Sequence, residues 1–217
     1  MILGIGSAHI DILATVTGDP KVKDRIGKVS MDIGGTGGNV AVNCASLGLT
    51  TRFMTALNGS AHSRIIHEHL EKAGVEMYVF EDKSLPMAAF VAQINPEGEM
   101  DSAISCMPVE IVDFPDQLLR EAMDGISAIF MDCNLSISTM QKIVDMAAAL
   151  QLPIFLAGVS EEKSLRAHTL VRSGRKVSAL FINRREAEYL KKHIGHQPQN
   201  SKTMEDMALD RKSTRLN

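Results

Sequence analysis

Apolar positions along this chain switch repeatedly between a strand-like and a helix-like pattern. Ile2 to Ser7 is an apolar run of strand length, and Thr51 to Leu57 is another. Between them Val40, Ala41, Cys44, Ala45 and Leu47 give one buried side to a helix from Val40 to Leu49, with Gly48 as its stop. Ile65, Ile66, Leu70 and Ala73 predict a helix from about Ala61 to Ala73, ended by Gly74, before a strand at Met77 to Phe80. A short helix at Gln117 to Met123 and a strand at Ala128 to Cys133 follow. Ile137, Met140, Val144 and Ala147 then mark another helix by their spacing. Pro153 to Val159 and Ala179 to Ile182 read as further strands, each ahead of a helical pattern. This order predicts an α/β fold with a mostly parallel sheet and helices on both faces.

Two stretches interrupt the order. Residues 12–33 alternate and carry turn signals at Gly18-Asp19-Pro20 and Gly27-Lys28. Residues 87–106 hold two β-rich runs flanking Asn95-Pro96-Glu97-Gly98, a hairpin turn. Four short strands inserted at two places predict a small separate sheet, a candidate lid over the carboxyl ends of the core strands.

The run Gly34-Gly35-Thr36-Gly37-Gly38-Asn39 ahead of the first long helix carries the first chemical signal. A glycine loop feeding a helix start exposes backbone N–H groups beside the positive end of the helix dipole, which suits hydroxyl-rich or anionic ligands. A tight strand-to-helix turn without a ligand is the alternative. The run is not a Walker A loop, because no Lys-Ser or Lys-Thr pair closes it. Gly4-Ile5-Gly6-Ser7-Ala8-His9 begins like a dinucleotide loop, but His9 replaces the third glycine and strands follow where a helix should. An NAD-dependent oxidoreductase is therefore disfavoured.

Composition narrows the classes further. At 217 residues and 45% hydrophobic content the chain can build one large core, and a net charge of −3 gives no electrostatic case for nucleic acid. No apolar run approaches the ~20 residues of a membrane span, and the first residues read as a strand rather than a signal peptide. Cys44, Cys106 and Cys133 are odd in number and lie in apolar segments, as reduced core thiols of a cytoplasmic protein would. His67-Glu68-His69 sets its imidazoles on different sides of a helix and reads as a solvated face rather than a metal site.

An α/β core, a small β lid and Gly-Gly-x-x-x-Asn before the first long helix together resemble the PfkB (ribokinase-like) family of small-molecule kinases. The resemblance runs from Met1 to about Gly195, treated as the N-terminal part of one kinase domain, and implies a three-layer α/β/α core. Within the family, several runs are similar to the pseudouridine kinases: Gly6-Ser7-Ala8-His9-Ile10-Asp11, Gly27-Lys28-Val29, Asp132-Cys133-Asn134-Leu135 and Val159-Ser160-Glu161-Glu162-Lys163. Asn183-Arg184-Arg185-Glu186-Ala187 matches the family's Asn-x-x-Glu motif. The resemblance implies an ATP-dependent kinase that uses Mg²⁺ and phosphorylates a hydroxyl of a ribose-containing substrate. Pseudouridine comes first, and another nucleoside or a free sugar is the alternative.

Carried over residue by residue, the resemblance makes Asp11 an acceptor for sugar hydroxyls. Gly35, Thr36 and Asn39 line the same pocket, and Asn134 reaches in from its strand. His9 stands where the family has a sugar-contacting asparagine, which implies a substrate contact or altered specificity. Asn183 and Glu186 help hold Mg²⁺ and its waters near the nucleotide phosphates, with Glu186 nearest the metal. Each has a plainer reading: Asp11 caps a turn, Asn39 caps the helix, and Asn183 with Glu186 is a helix start with an acidic first turn. A homodimer through the lid is a further implication of the resemblance alone.

The family's catalytic base belongs to a later Gly-Ala-Gly-Asp motif, which does not occur in this sequence. The expectation is a truncated kinase without its base, with residues 196–217 as a tail. Asp210-Arg211-Lys212-Ser213-Thr214-Arg215-Leu216-Asn217 resembles one frame of an adapter oligonucleotide, and an ordinary polar tail is the other reading. Ala157-Gly158, Ser105-Cys106 and Phe181-Ile182 also depart from the subfamily's usual Asp-Pro, Asn-Asp and Lys-Pro. A non-catalytic nucleoside- or sugar-binding paralogue is the competing class.

Overall fold

The structure, a computed structural model, describes residues 1–17 and 24–194. Ten strands and six α-helices occur among them. The first half holds β1 (Ile2–Ile5), β2 (His9–Val16), β3 (Gly27–Gly34), α1 (Thr36–Ser46), β4 (Thr51–Leu57), α2 (Ala61–Lys72), β5 (Val75–Glu81), β6 (Ala89–Ile94) and β7 (Met100–Cys106). The second half holds α3 (Asp116–Met123), β8 (Ala128–Asp132), α4 (Ile137–Ala149), β9 (Ile154–Ala157), α5 (Glu161–Arg172), β10 (Ala179–Phe181) and α6 (Arg184–Ile194).

The core sheet runs β10-β9-β8-β1-β4-β5, and every pair in it is parallel. Strand side chains alternate between faces, so each central strand needs apolar residues on both sides. Every residue of β4 is buried. Its Phe53 and Leu57 join Ala41 of α1 and Ile66 and Leu70 of α2 on one face. Met54 and Ala56 join Leu3, Ile5 and the apolar sides of α3, α4 and α5 on the other. No helix among the described residues is long and apolar enough to cross a membrane.

The second sheet has the order β3-β2-β6-β7, antiparallel at its edges and parallel between β2 and β6. It is the expected separate sheet, with two corrections. Its first strand starts at His9, not near residue 12, because the chain leaves β1 after Ile5 and re-pairs almost at once. Gly27-Lys28 is not a turn: Gly27 pairs with Val16 and Lys28 with Thr15 at the start of β3. The Gly18-Asp19-Pro20 signal lies outside the described residues, as do residues 196–217. The second hairpin turns where expected: Asn95 N–H donates to Glu99 O at 2.8 Å, and Gly98 takes φ +86°.

The glycine run is not a loop that ends at Val40. Helix α1 begins at Thr36, so Gly37 and Gly38 lie in its first turn and Gly35 is the N-cap at φ +107°. A Cβ on Gly35 would sit 2.4 Å from the Ser7 carbonyl oxygen, which excludes other residues there. Asn39 is not a cap but a residue of the helix, whose N–H donates to Gly35 O at 2.9 Å. The glycines let the helix start press against the end of β1, and Gly38 N–H donates to Ser7 O at 3.0 Å.

Candidate functional site

Asp132, the last residue of β8, organises the carboxyl end of the core sheet. It is fully buried. Its Oδ2 accepts from Ser7 N at 3.0 Å, Ser7 Oγ at 3.1 Å and Gly37 N at 2.9 Å, while Oδ1 accepts from Asn134 N at 2.9 Å. Gly35 has no side chain to cap α1, so a carboxylate from a distant strand takes an orphan N–H of its first turn. Burial pushes the carboxyl of Asp132 up, and the donors from Ser7, Asn134 and Gly37 pull against that. In the sequence Asp132 stands only inside the run Asp132-Cys133-Asn134-Leu135, with nothing local that marks its role beyond a single acidic residue ending an apolar strand.

Asn134 is 2% exposed, and its amide is engaged on both sides. Nδ2 donates to Ser7 Oγ at 2.7 Å, and Oδ1 accepts from Lys163 Nζ at 2.8 Å. It is a bridge inside the site as well as a candidate substrate contact. Lys163, in the first turn of α5, also pairs with Glu110 Oε2 at 3.3 Å. Arg166 pairs with the other oxygen of Glu110 and donates to the carbonyls of Cys133, Asn134 and Leu135 at 3.0 to 3.1 Å. Burial would raise the Glu110 carboxyl, but Arg166 and Lys163 outweigh it and hold it below its usual range. Glu110 sits in a 3₁₀ turn soon after lid strand β7, and this cluster ties that turn to α5 and to the chain after β8. Glu110 and Arg166 were missed because their partners are far away in sequence.

His9 and Asp11 start β2 as a contact pair, His9 Nε2 to Asp11 Oδ1 at 2.9 Å. Burial lowers the imidazole and Asp11 raises it, and the net direction is downward. Nε2 meets Asp11, and Nδ1 is buried with no partner among the described residues. The other carboxylate oxygen of Asp11 lies over Gly34, where a Cβ would come within 2.2 Å. His9 on one side and a glycine notch on the other set the direction of the Asp11 carboxylate.

A cavity of about 340 Å³ opens where β9 and β10 end, lined by Thr36, Phe181, Asn183 and Glu186 among others. Asn183 and Glu186 form a reciprocal cap on α6. Glu186 N–H donates to Asn183 Oδ1 at 2.9 Å, and the Glu186 carboxylate accepts from Asn183 N at 3.1 Å and Nδ2 at 2.6 Å. The helix-start reading is thus present in the geometry, and it leaves carboxylate lone pairs unused. Glu186 is 3% exposed, and burial raises its carboxyl. A buried carboxylate in that state gains from a nearby cation. No cluster of three metal-ligating side chains exists among the described residues. A single carboxylate suits Mg²⁺, which keeps most of its waters.

The expected site residues therefore fall into linked groups. His9 pairs with Asp11, while Asn134 meets Ser7 and Asp132 beside Gly37. Thr36, next along the helix, shares the cavity of Asn183 and Glu186. Asn39 lies exposed on α1. His67 pairs with Glu71 at 3.2 Å on the outer side of α2, as a solvated face would.

The chain is similar to several known proteins. Guanosine-inosine kinase of Exiguobacterium acetylicum is 28% identical over 159 residues, 70% of this chain and 51% of that protein. Pseudouridine kinase of Escherichia coli (strain K12) is 28% identical over 194 residues, 86% of this chain and 59% of that protein. The chain thus spans about half the length of the curated relatives it matches. The structure of Arabidopsis thaliana ribokinase complexed with ribose and ATP superposes with TM-score 0.73 at 21% identity, over 96% of this chain and 66% of that one. The core and lid thus have the ribokinase-like fold. With residues 1–209 matched by the pfkB family carbohydrate kinase pattern, the chain belongs to that family.

Proposed function

We propose that the chain supplies the substrate-binding part of an ATP-dependent kinase that phosphorylates a hydroxyl of a ribose-containing nucleoside, with pseudouridine as the first candidate. The observation that carries this reading is the His9–Asp11 pair at the junction of lid and core. It presents an oriented carboxylate to a site that also holds a glycine-rich helix start. Asp11 accepts hydrogen bonds from ribose hydroxyls, and Gly35, Thr36, Asn39 and Asn134 complete the pocket. Glu186, held by Asn183, keeps the waters of Mg²⁺ beside the ATP phosphates, where the metal supplies charge neutralisation. The guanosine-inosine kinase relative, equal in identity to the pseudouridine kinase, favours a purine nucleoside as the second reading. The free thiols support a cytoplasmic setting.

Asp11→Ala is expected to weaken pseudouridine binding by about 10- to 100-fold, the loss of a charged acceptor for buried hydroxyls. Isothermal titration of the wild type and the variant measures it. Equal affinity of the two proteins would remove the sugar site from this place, and wild-type protein that binds neither pseudouridine nor a purine nucleoside would remove the function.

We further propose that the lid pairs two copies. Met31, Ile12, Val91 and Ile104 form one row across its four strands, and Ile104 is 71% exposed at the outer strand. Such a row is an association surface. Ile104→Lys should shift sedimentation toward the monomer, and an unchanged profile would exclude this face.

A further inference from the structure

The cluster around Glu110 carries more positive charge than its own balance needs. Arg166 already pairs with Glu110 through Nη2 and donates from Nη1 to three carbonyls. Lys163 adds a second cation to the same carboxylate. Lysine ordinarily keeps its head in water, yet this side chain is 17% exposed and fixed by acceptors from two other segments. Among the described residues two N–H bonds of its ammonium are used, on Asn134 and Glu110, and one is left. The group stands at the candidate site. It shares Asn134 with Ser7 and Asp132, and its charge is felt by His9.

We propose that Lys163 contacts the substrate directly, donating its remaining N–H to a carbonyl oxygen of the nucleoside's base, and so selects base-bearing ribosides over free ribose. The inference rests on the nucleoside-kinase reading and specifies which part of the substrate this lysine meets. Sugar hydroxyls find an acceptor in Asp11 and can donate or accept elsewhere. A base carbonyl can only accept, and it needs a donor that the surrounding protein has not already used. Arg166 is committed to Glu110 and three carbonyls, whereas Lys163 keeps one N–H without an acceptor among the described residues. A compact ammonium on a long stem also tolerates a range of carbonyl positions better than a guanidinium fork.

The test compares pseudouridine and ribose as ligands of the wild type, Lys163→Met and Lys163→Gln by calorimetry, with melting curves of each. Lys163→Met is expected to weaken pseudouridine by about tenfold or more while ribose changes by less than about twofold. Should Lys163→Met fail to fold, Lys163→Gln, which keeps a donor for Asn134 and loses the charge, must show the same selective loss. Equal weakening of both ligands, or of neither, overturns the proposal while leaving the kinase reading intact. Wild-type protein that binds neither ligand overturns the proposal, and one that binds no purine nucleoside either overturns the kinase reading as well.

Discussion

Asp132→Ala is expected to lower the melting temperature by about 6–12 °C, the largest stability effect of any single site residue. The variant leaves buried N–H groups of Ser7, Gly37 and Asn134 without their acceptor. Each such donor costs about 1–3 kcal/mol, and relief from burying a charge returns part of that, for a net of about 3 kcal/mol. In a chain of this size one kcal/mol corresponds to about 2–4 °C. The pH dependence has a definite sign. Burial raises the folded carboxyl above its ordinary 3.8, so the ionised form is disfavoured in the native state. The group's contribution is therefore greatest below the unfolded value and declines as pH rises through the interval up to the folded one. The gap between wild type and variant should narrow across that interval on alkaline titration. A variant that melts with the wild type at every pH would show that α1 holds its place without this carboxylate.

The parallel core was legible because its strands need apolar residues on both faces, and runs such as Ile2 to Ile5 and Ala128 to Asp132 show that without reference to anything distant. The lid was legible from alternation and from Asn95 to Gly98. The start of α1 was not. Glycine argues against a helix in isolation, by about 1 kcal/mol against alanine. Here that preference yields to close packing of the helix start on Ser7 and Ala8, a contact that sequence order does not reveal. Gly27-Lys28 failed for a related reason: its strand pairing with Thr15 and Val16 overrides a local turn preference.

The candidate site divides in the same way. Asp11, Thr36, Asn134 and Glu186 stood out through short motifs. What holds them did not, since Asp132 reaches Ser7 across 125 positions and Lys163 reaches Glu110 across 53. His9 was legible as a departure from a family pattern, but its contact with Asp11 depends on a buried ring that no sequence pattern reveals. Asn183 and Glu186 are the opposite case. Their plainer reading was a helix start with an acidic first turn, and the geometry contains a reciprocal cap there, yet the same carboxylate also faces the cavity. A cap that fixes a carboxylate's rotamer makes that carboxylate a better partner for a hydrated ion.

The 217-residue chain is expected to give no measurable phosphoryl transfer from MgATP to pseudouridine, ribose or adenosine. Transfer to an alcohol requires a group to take the hydroxyl proton and donors to meet the charge on the moving phosphoryl. The carboxylates of the candidate site already have other tasks. Asp132 is fully buried with four hydrogen bonds, Asp11 is turned toward His9, and Glu186 is tied to Asn183. The resemblance assigns both missing tasks to a Gly-Ala-Gly-Asp segment, which this sequence does not contain. A positioned base contributes about 10²–10⁴ in rate and an anion-binding donor about 10²–10³, so binding alone leaves a deficit of about 10⁴ or more. A longer version carrying such a segment should release ADP on addition of nucleoside, and Glu186→Gln should slow it by disturbing the waters of the metal. An ADP-release assay on the purified chain, the longer version and its Glu186→Gln variant measures all three. Turnover by the 217-residue chain itself would place the base among its own residues, with Asp11 first in line. A longer version that binds nucleoside and stays silent would make the protein a binding paralogue, with Asp11 and Lys163 still holding the ligand.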